Sequence, residues 1–350
     1  MKIAFILPSL NNTGPILVAQ DIINSLSKLN VNILVDVYYF DKTEEALEFN
    51  CNLVKRIDFK DKNIFSDYDL IHSHCFRSDF YVWKNKLGYK AISTQHNIII
   101  KENKIRFNIF FAKIIEFFWF YILKNNKAVV SISGEMRKYH LSKLNNNIIY
   151  TVLNGRKKPK IENNNYNFYN DIADLKKHYK LIGSCASATK RKGHSQIIKA
   201  LPFLEDYYFI LIGSGDHLED LKNLAKKLKV FDRCLFLGYK KDALTYLSFF
   251  DLFILPSYSE GMSLALLEAA AIKVPIICSN IEANKGMFSD QEVVFFELDN
   301  IEDLIYKTKF LYQNKCEFAK RANDKYNNYY TADIMALNYL KLYKLLLKNE

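Results

Sequence analysis

The sequence predicts an α/β protein made of two doubly wound, parallel-sheet domains in tandem. Short apolar, β-branched runs recur along all 350 residues, segments of helical period separate most of them, and a polar stretch divides the chain near its middle. The composition agrees: 49% hydrophobic and 25% charged residues describe a globular chain with a packed core. The length exceeds one ordinary core and suggests two domains.

The first set of strand-length runs falls at 3–7, 33–39, 70–73, 91–94, 129–132 and 149–152. Between the first two, Ile16, Ala19, Ile22, Ile23 and Leu26 share one helical face, as a β-α-β crossover requires. The apolar run 109–123 is interrupted by Lys113 and Glu116 and is shorter than the ~20 residues that span a bilayer. Its aromatic density permits a helix buried under the first sheet or a segment at a membrane interface, and the buried helix is the expectation. Residues 156–165 are polar and charged and read as a linker. A second set of runs follows at 181–185, 209–212, 234–237, 252–255, 276–278 and 293–296. Ile334, Met335, Leu337, Leu342, Tyr343 and Leu346 form a terminal amphipathic helix. The expected domains are 1–160 and 166–332.

Six cysteines without C-x-x-C spacing read as reduced thiols, and the N-terminus begins as a strand with no small-residue cleavage site after it, so a cytoplasmic location is expected. The net charge of +11 leans toward the N-terminal half. It suits anionic lipid at the inner face of the membrane, and no nucleic-acid motif accompanies it.

The chemistry concentrates after the run 252–255. Pro256 ends that strand, Gly261 lies in a turn, and 264–271 reads as a helix of strong helix formers. Free N–H groups at the helix start favour a phosphate near Gly261, Met262, Ser263 and Leu264. Glu260 and Glu268 stand eight positions apart. If wholly helical, that spacing covers about 12 Å, roughly the reach from a hexose across a diphosphate to a ribose.

The segment from Asp251 through Pro275 resembles the E-x7-E signature of the family-four retaining glycosyltransferases, enzymes of the GT-B fold. The resemblance implies two Rossmann-like domains facing across a cleft, with the catalytic site expected there. The C-terminal helix, about 333–350, would return to the first domain. The donor would be a nucleoside-diphosphate sugar and the acceptor a glycan or lipid-linked hydroxyl. Hexosyl or N-acetylhexosaminyl transfer, for polysaccharide or lipopolysaccharide, would need neither metal nor other cofactor. Glu260 would hold sugar hydroxyls and Glu268 the ribose.

The Thr189–His194 segment brings Arg191 and Lys192 to a strand end, where they would neutralise the diphosphate. Lys192 matches the family's lysine, whereas Ser184 stands where its arginine is expected, so Arg191 would substitute. Gly213 resembles the family's strand-end glycine turn, and the backbone near Tyr239 and Lys240 would contact the base. In the first domain, Gly14 occupies the place of the family's paired-glycine loop, beside Pro15 at the helix start. His96 matches a histidine near the transferred sugar.

His72 and His74 share a strand face and read as support. Asp67-Tyr68-Asp69 copies a metal-binding D-x-D but leads into its strand, so metal binding is not expected there. Lys273 stands where the family's helix ends on glycine. Two other readings remain open: a GT-B sugar-nucleotide epimerase, and a non-catalytic sugar-nucleotide-binding partner of another transferase.

Overall fold

The computed structural model describes residues 1–29, 31–61, 64–100, 108–159, 172, 174–240 and 243–348. It divides into two units, Met1–Lys157 with Tyr330–Glu350, and Lys158–Tyr329.

The first unit holds a parallel sheet of β1 (Lys2–Leu7), β2 (Leu34–Tyr39), β3 (Leu53–Arg56), β4 (Leu70–His74), β5 (Ala91–Gln95), β6 (Ala128–Ser131) and β7 (Ile149–Thr151). Their order is β3-β2-β1-β4-β5-β6-β7. The second unit orders β8 (Lys180–Cys185), β9 (Tyr207–Ile212), β10 (Cys234–Gly238), β11 (Leu252–Leu255), β12 (Ile276–Ser279) and β13 (Val294–Phe296) as β10-β9-β8-β11-β12-β13. Each sheet reverses its winding once, between β1 and β4 and between β8 and β11. Ligands bind at such switch points, outside the carboxyl ends of the strands.

All twelve strand-length runs read from the sequence form strands. The strand that pattern reading misses is β3, an edge strand whose four residues are all exposed, so no buried face marks it in the sequence. The Gly14–Leu26 helix buries Ile16, Ala19, Ile22, Ile23 and Leu26, its expected core face. Gly14 is the first helical residue and Pro15 the second, one position later than expected.

Both sheets use the same device at the switch point. Asp69, just before β4, accepts the Lys2 backbone N–H at 2.7 Å, while its own N–H donates to Lys2 O. Asp251, just before β11, does the same with Leu181, accepting its N–H at 3.0 Å. The carboxylate of Asp69 thus fastens β1 to β4. Its neighbour Tyr68 is buried and donates to Asp36 Oδ2. The D-x-D segment therefore holds the sheet together.

The polar stretch after Gly155 is not loose at its start. Arg156 is buried, pairs with Asp21 at 2.6 Å, and exchanges backbone hydrogen bonds with Tyr330 and Ala332, where the chain returns to this unit. Residues 160–165 lie outside the described residues. The terminal helix Ala332–Lys348 packs on Gly14–Leu26 and buries Met335, Leu342, Tyr343 and Leu346, whereas Leu337 is exposed.

The expectation of a buried helix at 109–123 is corrected. Ile109–Leu123 is a helix, but Phe110, Phe111, Ile114, Phe117 and Tyr121 face solvent, Phe117 at 75% exposure. The side facing the protein carries the acid: Glu116 is buried, accepts the Tyr139 hydroxyl and pairs with Lys143 at 3.2 Å. With those partners Glu116 stays inside, so the aromatic face is turned outward.

The helix Leu264–Ala271 ends on Lys273 at φ +61°, in the left-handed region. Lys273 N–H donates to Ala270 O and Val274 N–H to Ala269 O, a Schellman cap. The buried Asn323 amide also donates to Ala270 O and Ala271 O, at 2.9 and 3.1 Å. That extra capping lets a non-glycine hold the position. Lys273→Gly should then stabilise the protein by about 1 kcal/mol, read as a shift in chemical denaturation midpoint. A loss of stability would contradict a strained cap.

Candidate active site

Two loops meet at the β8/β11 switch point. After β8, Lys190–Lys192 forms one turn of 3-10 helix that ends on Gly193 at φ +67°. A Cβ on Gly193 would stand 2.1 Å from Pro256 O, so only glycine allows the β8 loop to lie against the end of β11. Gln196 locks the approach: its Nε2 donates to Pro256 O at 3.0 Å, and its Oε1 accepts the Asp299 N–H at 2.8 Å. Nothing in the sequence pattern singles out Gln196. Gly193→Ala should cost about 3 kcal/mol through the left-handed φ and the carbonyl clash, read by thermal or chemical unfolding. Near-wild-type stability would show that the loop does not need this close approach.

The geometry brings three predicted residues together. Lys192 Nζ donates to Glu260 Oε1 at 2.7 Å, and Arg191 Nη1 stands 3.6 Å from Oε2 while donating to Ser259 O at 2.5 Å. The Lys192 and Glu260 side chains are only 13% and 8% exposed, so water screens this pair weakly. Burial works against the Glu260 charge, but Lys192 and then Arg191 outweigh it and hold the carboxyl below its ordinary range. Ser184, at the family arginine's position, is fully buried on β8 with its hydroxyl 3.2 Å from His194 Nε2. Burial, with Lys192 beside it, pushes His194 down to about 3. A guanidinium has no room at residue 184; the second cation comes from the loop.

Glu268 lies on the Leu264–Ala271 helix and is buried. It is near Cys185 at the end of β8, whose thiol is raised by burial first and by the Glu268 charge second. Gly261, Met262 and Ser263 are buried before the helix, and Leu264 opens it half-buried. Ser263 sits at the cap with an extended backbone but makes no side-chain cap hydrogen bond, so the first-turn N–H groups keep binding capacity.

Gly213 and Tyr239 lie in interlocked turns after β9 and β10. The Gly213 N–H donates to Gly238 O at 2.8 Å, and the Tyr239 N–H to Ser214 Oγ at 2.8 Å. Both backbone donors are thus engaged within the protein, leaving the Tyr239 ring, 54% exposed, as the group offered outward. Gly213, at φ +147°, leaves no room for a Cβ, which would meet Ala186 O at 2.0 Å. Lys240 follows, half-buried.

Gly14 and His96 belong to the first unit. Gly14 is exposed at the start of its helix, and His96 directly follows β5. His72, His74 and His96 stack in a column, with ring centroids 4.5 and 5.1 Å apart. His74 Nδ1 lies 2.9 Å from His96 Nε2, so His74 fixes the face that His96 presents. His72 binds the Tyr343 hydroxyl at 2.8 Å and Thr94 Oγ1 at 2.7 Å. The shared-face reading named His72 and His74 as support; it gave no sign of the bond to His96.

Burial lowers His72 and His96 to about 3 and His74 well below its ordinary value. These rings are neutral in the folded protein and protonate on unfolding below about pH 6.5, the ordinary histidine value. Their contribution is therefore complete above pH 6.5 and is lost as pH falls toward 3, by about 1.4 kcal/mol per pH unit for each histidine. Unfolding free energy should drop between pH 6.5 and 5, and drop less steeply in His72→Gln. A pH-independent stability across that window would contradict the neutral column.

Residues 167–331 match the family described as Glycosyl transferases group 1. The match lies almost wholly within the second unit, and with the relatives below it makes the chain a glycosyltransferase. Over 353 aligned residues the chain is 27% identical to the O-antigen biosynthesis glycosyltransferase WclY of Escherichia coli, covering 98% of each. A shorter stretch of 104 residues is 36% identical to the UDP-Gal:alpha-D-GlcNAc-diphosphoundecaprenol alpha-1,3-galactosyltransferase of Escherichia coli, covering 29% of this chain and 27% of that one. Among solved structures, sucrose-phosphate synthase from Thermosynechococcus elongatus superposes with a TM-score of 0.82 at 16% identity, covering all of both chains. That likeness establishes the GT-B fold.

Proposed function

We propose that this glycosyltransferase moves a hexosyl or N-acetylhexosaminyl group from a nucleoside-diphosphate sugar to a hydroxyl of a lipid-linked glycan, with retention at the anomeric carbon, in surface polysaccharide synthesis. The observation that carries it is the convergence of Lys192 and Arg191 on Glu260 at the β8/β11 switch point, beside the open start of a helix. The names of the two Escherichia coli relatives support the O-antigen setting, a UDP-linked donor and a diphosphoundecaprenol acceptor.

In this reading Glu260 stands in for the donor when none is bound. A diphosphate entering at the helix start brings more negative charge than one carboxylate, so Lys192 and Arg191 turn to its oxygens. Glu260, released from the pair, accepts hydrogen bonds from the sugar hydroxyls, and Glu268 accepts them from the ribose. The exchange matters energetically, because a buried cation that loses its partner without replacement costs several kcal/mol. As the glycosidic bond to phosphate breaks, negative charge grows on the leaving diphosphate, and the two cations stabilise it more than they stabilise the bound donor.

No protein nucleophile is assigned. The acceptor hydroxyl attacks from the face the phosphate leaves, and its proton passes to the leaving phosphate oxygen. His96, neutral and held by His74, offers a hydrogen bond to the sugar without adding charge. Neither a metal nor another cofactor takes part, and the enzyme works at the inner face of the cytoplasmic membrane.

Glu260→Ala and Lys192→Ala should each lower kcat by at least about 100-fold in a protein that still folds, measured as sugar transfer from radiolabelled UDP-sugars to lipid-linked acceptors. Wild-type turnover in either variant would remove the assignment.

A further inference from the structure

The first unit contains a cavity of about 510 Å³ at the carboxyl ends of β4 and β5, with His96 on one side and an apolar, mainly aromatic wall that the donor chemistry leaves unused. Phe76, Ile114, Ile115, Phe118 and Trp119 form much of its wall. Its polar lining is largely committed to the protein. Trp119 Nε1 donates to Asp79 Oδ2 at 2.8 Å, and Gln95 Nε2 donates to the same carboxylate at 3.0 Å and to Ser93 Oγ at 2.7 Å. Thr94 Oγ1 is engaged with His72 and the Tyr339 hydroxyl, and His96 Nε2 with His74. Beyond His96, a sugar placed along the aromatic wall would give up hydrogen bonds to water and find few in return, whereas a hydrocarbon has none to lose.

The wall is also continuous with the outside. Ile114 and Phe118 line the cavity and belong to the exposed aromatic face of the Ile109–Leu123 helix, with Phe117 and Tyr121. On that helix Lys113 is exposed one turn from both Phe110 and Phe117, and the Lys124 ammonium lies 4.2 Å from the Tyr121 ring centroid. Cations thus border the apolar surface, an arrangement that suits a chain of hydrocarbon ending in a diphosphate.

We propose that this cavity binds the isoprenoid units nearest the diphosphate of a polyprenyl-linked acceptor, the chain entering over the aromatic face of the Ile109–Leu123 helix. The inference rests on the lipid-linked reading of the acceptor and adds the place where its lipid is held. The volume falls in the range of about 300–1,000 Å³ usual for small-molecule pockets. Branched isoprene units fill such a space without needing a polar partner.

The test is calorimetric titration of the full chain, saturated with UDP so that the donor site is occupied, using farnesyl diphosphate, inorganic diphosphate and dodecyl phosphate as probes. Farnesyl diphosphate should bind at least tenfold more tightly than either of the others. Phe118→Glu, on the half-exposed lip and with a thermal unfolding midpoint close to wild type as the check that the first unit folds, should weaken farnesyl diphosphate at least tenfold and leave UDP affinity unchanged; Ile115→Trp, which fills the cavity, should do the same. Equal binding of farnesyl and inorganic diphosphate, or an unaltered affinity in Phe118→Glu, would overturn the site. Dodecyl phosphate binding as tightly as farnesyl diphosphate would overturn the isoprenoid assignment. UDP binding without farnesyl diphosphate binding sinks this inference alone, whereas a wild-type chain that does not bind UDP sinks the UDP-linked donor of the proposed function.

Discussion

The second unit is organised around one contact, the pairing of Glu260 with Lys192 between the loops that leave β8 and β11. Those strands are neighbours at the switch point, so their loops diverge unless something draws them together. The carboxylate does so by ion pairing, and Gly193 makes it sterically possible by letting the loop touch Pro256 O. Around that contact Gln196 ties the β8 loop to Pro256 and Asp299, and the Tyr258 hydroxyl donates to the Asp299 carboxylate. A buried ion pair is weak evidence for stability, since desolvation offsets most of the attraction. In the proposed function, an entering diphosphate takes the place of this carboxylate beside the two cations.

The first unit is organised on different physics. Its central column of neutral histidines is held from the terminal helix by the Tyr343 hydroxyl on His72 and by the Tyr339 hydroxyl through Thr94, so that helix supports the residue that follows β5. Hydrogen bonds here are spent inward, and the surface offered outward is carbon. Glu116 makes the same point on the neighbouring helix. Because Tyr139 and Lys143 satisfy its carboxylate inside, the helix shows its phenylalanines to solvent. No helix among the described residues is long and apolar enough to cross a membrane, so this face is a surface feature of the unit.

How much of this was legible in the sequence depended on whether a residue's partner lay close along the chain. Buried strands and the crossover helix announce themselves through apolar runs and 3.6-residue periodicity, and the fold class follows from them. The exposed edge strand β3 has no such signature. The helix at 109–123 shows its span in the sequence, but it reads there as buried, because nothing local reveals that Tyr139 and Lys143 will satisfy Glu116 inside and leave the aromatic face outward. Arg191, Lys192 and Glu260 were each marked by strand-end position and resemblance, yet their mutual contact crosses 68 positions and appears only in the fold. The Tyr239 and Gly213 amides show the converse: the turns are where the glycines place them, but their N–H groups are consumed by Ser214 and Gly238. Lys273 departs from the glycine expected at a left-handed cap, and the compensating Asn323 amide sits on a helix 50 positions away.

The account stands most directly on where a nucleotide diphosphate settles. A crystal structure of the chain soaked with a UDP-sugar should show diphosphate oxygens within about 3 Å of Lys192 Nζ, with the 2.7 Å contact to Glu260 opened and its carboxylate turned to the sugar. A bound nucleotide that leaves the Lys192–Glu260 contact closed and places no phosphate near Arg191 or Lys192 would contradict it.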